Sequence, residues 1–340
     1  MTPAPPGGGP TPANMMSGTM WMPMNPPNLD RLLAFHPQPV PILPALSVVF
    51  LALYIAGVVR LRMRGDRWPV RRTIWWVAGI AVILLMTSTG IDGYGMELFS
   101  VHMVQHMTLS MLAPVFLVLG APITLLLRTL PAGAGRRSAH AMVLRVLHSR
   151  PALVVTHPVV VIALFLMSLY GLYFTPVFDY LMSTMWGHNL MLIHFIGIGF
   201  LYFWGVLGVD PSPRRPSRGV RQLGGPVLRI FELVATVPFH AFFGVVVMMS
   251  AALIVRFYAA PMPGWGIAPL PDQALGGGIA WGFTEIPTLI VLGVLFMQWQ
   301  SSDERLNRRL DRAAGRREAE REAYNLYLAR LASYDRGDRP

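Results

Sequence analysis

Seven stretches of the chain run apolar for about twenty residues each, the length a helix needs to cross a ~30 Å hydrocarbon core. They fall at roughly 42–60, 73–90, 98–119, 153–173, 184–208, 230–254 and 279–299, with polar residues gathered between them. The pattern predicts an all-α polytopic membrane bundle of seven transmembrane helices filling residues 42–300. Two segments of different character flank it. Residues 1–41 are rich in Met, Pro and Gly and read as a disordered extracytoplasmic tail, without the basic start and short apolar run of a cleavable signal peptide. Residues 301–340 read as a charged helix carrying Leu306, Leu310, Leu328 and Leu331, lying along the inner membrane surface or docking a partner. Within the third span, Pro114 predicts a kink, and the Gly-Ala-Pro run at 120–122 predicts a stop before a short apolar piece.

Charge gives the bundle a direction. Every one of the 28 basic residues is arginine. Arg60, Arg62, Arg64, Arg67, Arg71 and Arg72 lie between the first two spans. Arg128, Arg136, Arg137, Arg145 and Arg150 follow the third; Arg214, Arg215, Arg218, Arg221 and Arg229 follow the fifth; ten more follow residue 300. Only Arg31 and Arg256 fall on the opposite side. This loop-by-loop alternation places the N-terminus outside and the C-terminus in the cytoplasm of a cell inner (plasma) membrane protein. It also accounts for the net charge of +11 without nucleic acid; membrane lipid is the partner it implies.

Composition then removes chemistry. Hydrophobic residues make up 54% and charged residues 13%, far from a soluble domain. Cysteine is absent, which excludes disulfides, thiolate metal sites and thiol redox chemistry. The lack of lysine excludes a Schiff base, and with it a seven-span retinal pigment.

Histidines inside the spans carry the remaining chemistry, since an ionisable residue in a membrane is costly unless it faces a partner. "HMVQH" puts His102 and His106 four residues apart on one face of the third span. "HNLMLIH" puts His188 and His194 on the fifth, about 120° apart, with Met191 between them. His240 lies near the middle of the sixth. Glu285 is expected two turns into the seventh, with Asp272 and Gln273 in the loop before it. His102, His188 and Glu285 should lie close to the outer surface, and His106, His194 and His240 deeper. For any single histidine the alternative is an interhelical hydrogen bond. His157 reads as a helix-start residue, and His36, His140 and His148 receive no role.

Imidazole suits zinc, copper, iron and nickel, whereas thioether sulfur selects copper(I). The His102–His106 pair lacks the glutamate of a catalytic zinc motif and is surrounded by methionine instead: Met103, Met107 and Met111, with Met185 and Met191 opposite. Copper(I) is therefore the expected ion, although methionine is also an ordinary core filler. Five methionines within residues 15–24 suggest a flexible collector that feeds the cluster, or else incidental residues of a leader.

At these residues the chain resembles a known family. "FSVHMVQHMTLSMLAPVFLVLGAPITLLLR" (99–128) is similar to the signature of the CtaG-like cytochrome c oxidase assembly factors, the polytopic kind associated with caa-type oxidases. The likeness continues through "HNLMLIHFIGIGFLYFWGVLGVDPSPRR", "VPFHAFFGV", "DQALGGGIAW" and "AYNLYLARL", covering roughly residues 73–335. The resemblance implies a role in maturing haem–copper oxidase by delivering copper to its large subunit. By motif it carries His102, His106, His188, His194, His240 and Asp272 over as the residues that matter. Ala280 departs from the methionine expected before Trp281. The expected ligand set is thus His102, His106, His188, His194, His240, Met103, Met191, Asp272 and Glu285, binding copper(I) for ligand exchange without catalytic turnover. The alternatives are a haem-bearing redox protein, with His106 and His194 as axial ligands, and a copper transporter.

Overall fold

The computed structural model describes residues 20–131, 138–213 and 225–335, and these are helical, with no strand among the described residues. Arg136, Arg137, Arg214, Arg215, Arg218 and Arg221, and the first part of the methionine run, lie outside them. The chain divides into two units, residues 1–292 and 293–340.

In the first unit a short helix α1 (Leu29–Leu33) precedes α2 (Ile42–Met63), α3 (Val70–Ser88) and α4 (Gly90–Glu97). Next come α5 (Phe99–Met107), α6 (Ala113–Leu119) and α7 (Pro122–Thr129), then α8 (Ala139–Leu147), α9 (Arg150–Val155), α10 (Pro158–Leu166) and α11 (Val177–Met182). The series ends with α12 (Met185–Leu207), α13 (Gly225–Met249), α14 (Pro269–Phe283) and the first residues of α15 (Glu285–Asp335). The second unit is helical through Asp335, and its Leu310, Leu328 and Leu331 are exposed.

Among the described residues, six helical segments are long and apolar enough to cross a membrane: Ile42–Met63, Val70–Ser88, Phe99–Thr129, Met185–Leu207, Leu228–Met249 and Pro269–Ser301. The chain is a multi-pass membrane protein. The fourth expected span, 153–173, differs. Pro158 starts a new helix after His157, and the continuous apolar piece Pro158–Gly171 is shorter than the others. The seventh expected span begins earlier than residue 279, because α14 already starts at Pro269. Asp272 and Gln273 therefore stand in a helical first turn and not in a loop.

Around Pro114 the third span does not simply kink. Its backbone widens into a π turn at Thr108–Leu112 just before the proline, a common device for absorbing a missing N–H. Ala121 then adopts a left-handed conformation (φ 53°) and separates α6 from α7, as the Gly-Ala-Pro run predicts. Two buried carboxylates from distant parts of the chain, Asp272 on α14 and Asp210 in the segment after α12, cap the starts of α5 and α7. Asp272 accepts from the backbone N–H of Phe99 at 2.7 Å and from the Ser100 hydroxyl, and Asp210 accepts from the N–H groups of Ile123 and Thr124. Helices α13 and α14 meet closely at Gly277, where an added Cβ would lie 2.4 Å from the Met248 nitrogen.

Residues 20–41 depart most from expectation. They are not a disordered tail but a folded strap across α4. Asn28 caps α1 through Arg31 N, and His36 N donates to Ser88 O at 2.8 Å. Gly90 N donates to Ala34 O at 2.9 Å, and Tyr94 OH donates to Asn25 O at 2.9 Å. Gly93 makes the crossing possible, since a Cβ there would sit 2.3 Å from the Trp21 ring.

Candidate metal centre

Helix α5 starts at Phe99 under the Asp272 cap, and this fixes the register of the HMVQH face. Four residues turn a helix by little more than one revolution, so His102 and His106 stack on that face with ring centroids 6.4 Å apart. Both are buried. Between them stands Tyr173, contributed by the helical residues that follow the π segment Met167–Gly171 after α10. Its hydroxyl lies 3.0 Å from Nε2 of His102 and 2.7 Å from Nδ1 of His106. Aromatic rings wall the pair: Phe195 stacks on His106 at 3.9 Å, and Phe178 meets His102 edge-on at 5.1 Å.

The remaining nitrogens are the informative ones. Nδ1 of His102 is buried with no hydrogen-bond partner. His188, in the first turn of α12, is within electrostatic reach of His102, is 1% exposed, and has neither ring nitrogen partnered. A neutral imidazole always carries one N–H, and a buried donor left unpaired costs about 1–3 kcal/mol. One turn deeper, His106 and His240 line a shared cavity of about 10 Å³, room for one water or one ion, together with Ser110 and Ser168. Nδ1 of His240 lies 2.8 Å from the Thr284 hydroxyl. Beyond His240 a second cavity of about 10 Å³ is lined by Thr236, Thr284, Thr288 and Met111.

Other expected ligands are placed differently. His194 is exposed; its Nε2 lies 2.8 Å from Ser168 Oγ and so touches the cavity only through that hydroxyl. Glu285 is also exposed and sits one residue past Thr284, at the depth of His240 and not of His102, because α14 began ten residues early. Asp272 is occupied as the α5 cap, with both oxygens engaged. Met103 and Met191 are buried, and neither lines the two small cavities. Among the described residues, no three His, Asp or Glu side chains converge as a cage for one ion. The donors come in pairs.

Sequence reading missed three groups. Tyr173 carried no signal, since a tyrosine near a span end usually marks the interface. Gln105, the polar residue inside HMVQH, donates to Met86 O at 2.9 Å and to Asp92 Oδ1 at 2.7 Å, tying α5 to α4. Glu97 is fully buried at the end of α4 with neither oxygen hydrogen-bonded. Burial pushes its carboxyl up to about 7, opposed by the Met262 backbone, which favours the charged form. Burial likewise pushes Asp92 up to about 7, against hydrogen bonds from Gln105 and Gln38.

A multi-pass helical bundle with paired imidazoles buried toward one end defines the class. Residues 52–302 match the family of cytochrome c oxidase caa3 assembly factors (Caa3_CtaG), and the chain belongs to that family. It is 44% identical over 294 residues to uncharacterized proteins of Mycobacterium bovis and Mycobacterium tuberculosis, and 41% identical over 293 residues to one of Mycobacterium leprae. Each match covers 85% of this chain but only 43% of the relative, so the chain spans less than half the length of these curated relatives. No solved structure matches.

Proposed function

We propose that the protein carries copper(I) through its paired buried imidazoles and passes it to the copper-bearing large subunit of a haem–copper cytochrome c oxidase during assembly. The arginine-poor end of the bundle, where His102 and His188 lie, is taken as the exterior side of the plasma membrane. Copper is cargo here. Neutral nitrogen donors in pairs suit a soft monovalent ion that accepts low coordination, and an incomplete cage lets an acceptor's ligands displace it.

The observation that carries this reading is the Tyr173 bridge between two imidazoles, with the far nitrogen of His102 and both nitrogens of His188 buried and without partners. A phenol has one proton, and each neutral imidazole has one N–H. When His102 donates through Nε2 to the phenol oxygen, the phenol donates to Nδ1 of His106. His102 then offers a lone pair at Nδ1, and His106 keeps its proton on Nε2. The reversed chain frees Nε2 of His106 and protonates Nδ1 of His102. Only one tier therefore presents a metal-ready nitrogen at a time. For the ion to pass inward, two protons shift along the bridge while His106 gives up its Nε2 proton and His102 takes one at Nδ1, so one proton moves outward in exchange for the ion.

The room around the histidines speaks against the haem alternative, since the cavities beside His106 and His240 hold about 10 Å³ each, whereas pockets for cofactors run to several hundred Å³. Past His240 the donors are the hydroxyls of Thr236, Thr284 and Thr288 with the thioether of Met111, a sparser soft set than the imidazole tiers, which disfavours through-transport. The test is metal analysis of purified protein beside oxidase copper content in a deletion strain complemented with His102→Ala/His106→Ala. Copper should fall in both, in the purified variant by the share held at the buried imidazoles; unchanged copper in the purified variant removes the site.

A further inference from the structure

The strap of residues 20–41 holds chemistry that the buried histidines do not use. Trp21 and His36 stack at 4.0 Å with rings 10° apart. The stack is pinned on both sides. Trp21 N donates to Gln38 Oε1 at 2.8 Å, and Trp265 Nε1 donates to Met24 O at 3.1 Å. A cavity of about 490 Å³ opens beside it, lined by Trp21, Met22, Met24, Arg31, His36 and Tyr94. Met24 is 84% exposed, and no hydrogen bond from another described residue reaches the His36 ring. Packing alone gives no reason for thioethers at such positions.

We propose that Met22, Met24 and His36, beside the Trp21 ring, form a binding site for a soft monovalent cation, copper(I), distinct from the buried imidazoles. The inference rests on the copper reading above and gives that ion a first resting place in water. The donor set is two thioethers and one imidazole with no carboxylate, which suits copper(I) and excludes calcium and magnesium. Arg31 lines the same cavity with its guanidinium tied to Pro26 O at 2.7 Å, and its fixed charge disfavours divalent ions more than monovalent ones. Because the strap is tied down at Gln38, Ser88 and Tyr94, its donors are ordered before the ion arrives, while their exposure keeps exchange fast.

The experiment uses full-length protein in detergent, with copper(I) presented against a chromogenic chelator and silver(I) and zinc(II) as comparison ions. In a His102→Ala/His106→Ala background, a single copper(I) should still bind, silver(I) should compete and zinc(II) should not. Adding Met22→Leu and Met24→Leu, which keep volume and apolarity, should weaken that binding roughly a hundredfold, two tenfold steps in Kd. The tryptophan fluorescence change on copper(I) addition should vanish in Trp21→Phe. Equal binding with and without the two methionines overturns the strap site. Equal copper in wild type and the His102/His106 variant instead overturns the buried site and leaves the strap standing, so the two failures are distinguishable.

Discussion

The Tyr173 hydroxyl stands 2.7 Å from Nδ1 of His106, and the same oxygen reaches Nε2 of His102 at 3.0 Å. One hydroxyl thus bridges two imidazoles from different turns of α5, donating to one and accepting from the other. Tyr173→Phe keeps the ring that packs against Phe99, Phe178 and Phe243 and deletes only the oxygen. Copper content of the purified variant should stay near wild type. Transfer to an acceptor oxidase should slow by about 10- to 100-fold, the usual effect of removing a group that orients a ligand imidazole. Stopped-flow transfer beside metal analysis checks this, and an unchanged transfer rate would show that the bridge is only structural.

His188 gives the opposite sign for stability. It is buried with no partner for either nitrogen, so the metal-free protein carries the cost of an unpaired donor. His188→Leu fills a similar volume without that penalty. The metal-free variant should be as stable as wild type or more so, by about 1–3 kcal/mol, while copper(I) stabilisation of the wild type should be lost in it. Thermal unfolding with and without copper(I) reads both quantities.

Asp272 and Glu285 separate structural carboxylates from ligands. Asp272→Ala removes the acceptor for Phe99 N and the Ser100 hydroxyl, so it should cost about 1–2 kcal/mol of stability through the lost cap of α5. Glu285→Gln, at an exposed position, should leave both stability and copper content unchanged. Copper loss in Glu285→Gln with the fold intact would restore it as a ligand.

The multi-pass helical character was legible because apolar length is a global signal that survives errors at any one residue. Helix starts were less so. The sequence reading began the last span at residue 279 because "PDQALGGG" looks like a loop, whereas Pro269 opens α14 and the glycines pack it against α13 and Phe99. That error carried Glu285 to the wrong depth and hid Asp272's capping role. The His102–His106 face was readable from spacing alone, since four residues on a helix share a face whatever surrounds it. Tyr173 and Glu97 were not, because their meaning depends on which helix lies opposite. Residues 20–41 looked disordered by composition, and only the crossing over Gly93 turns that proline-rich segment into a strap.

Asp92 and Glu97, on α4 between the second and third spans, predict how stability depends on pH. Both are buried, and burial lifts each carboxyl from its ordinary value near 4 to about 7. Between those values the folded protein keeps protons that the unfolded chain has released. Stability therefore falls as pH rises through this window, and the loss is complete above about 7. Asp92→Asn and Glu97→Gln together remove the groups that must ionise, so the variant's unfolding temperature should stay nearly level from pH 5 to 8 while the wild type's declines. Asp92 also accepts from Gln105, which donates onward to Met86 O, so Asp92→Asn risks turning that contact into two facing amides. Glu97→Gln, with no partner to lose, isolates the burial effect: it should remove its own share of the slope and match the wild type near pH 5. A wild-type profile that instead rises between pH 5 and 7 would mean that both carboxylates are charged in the folded protein, paired with cations that enter the α4 end of the bundle.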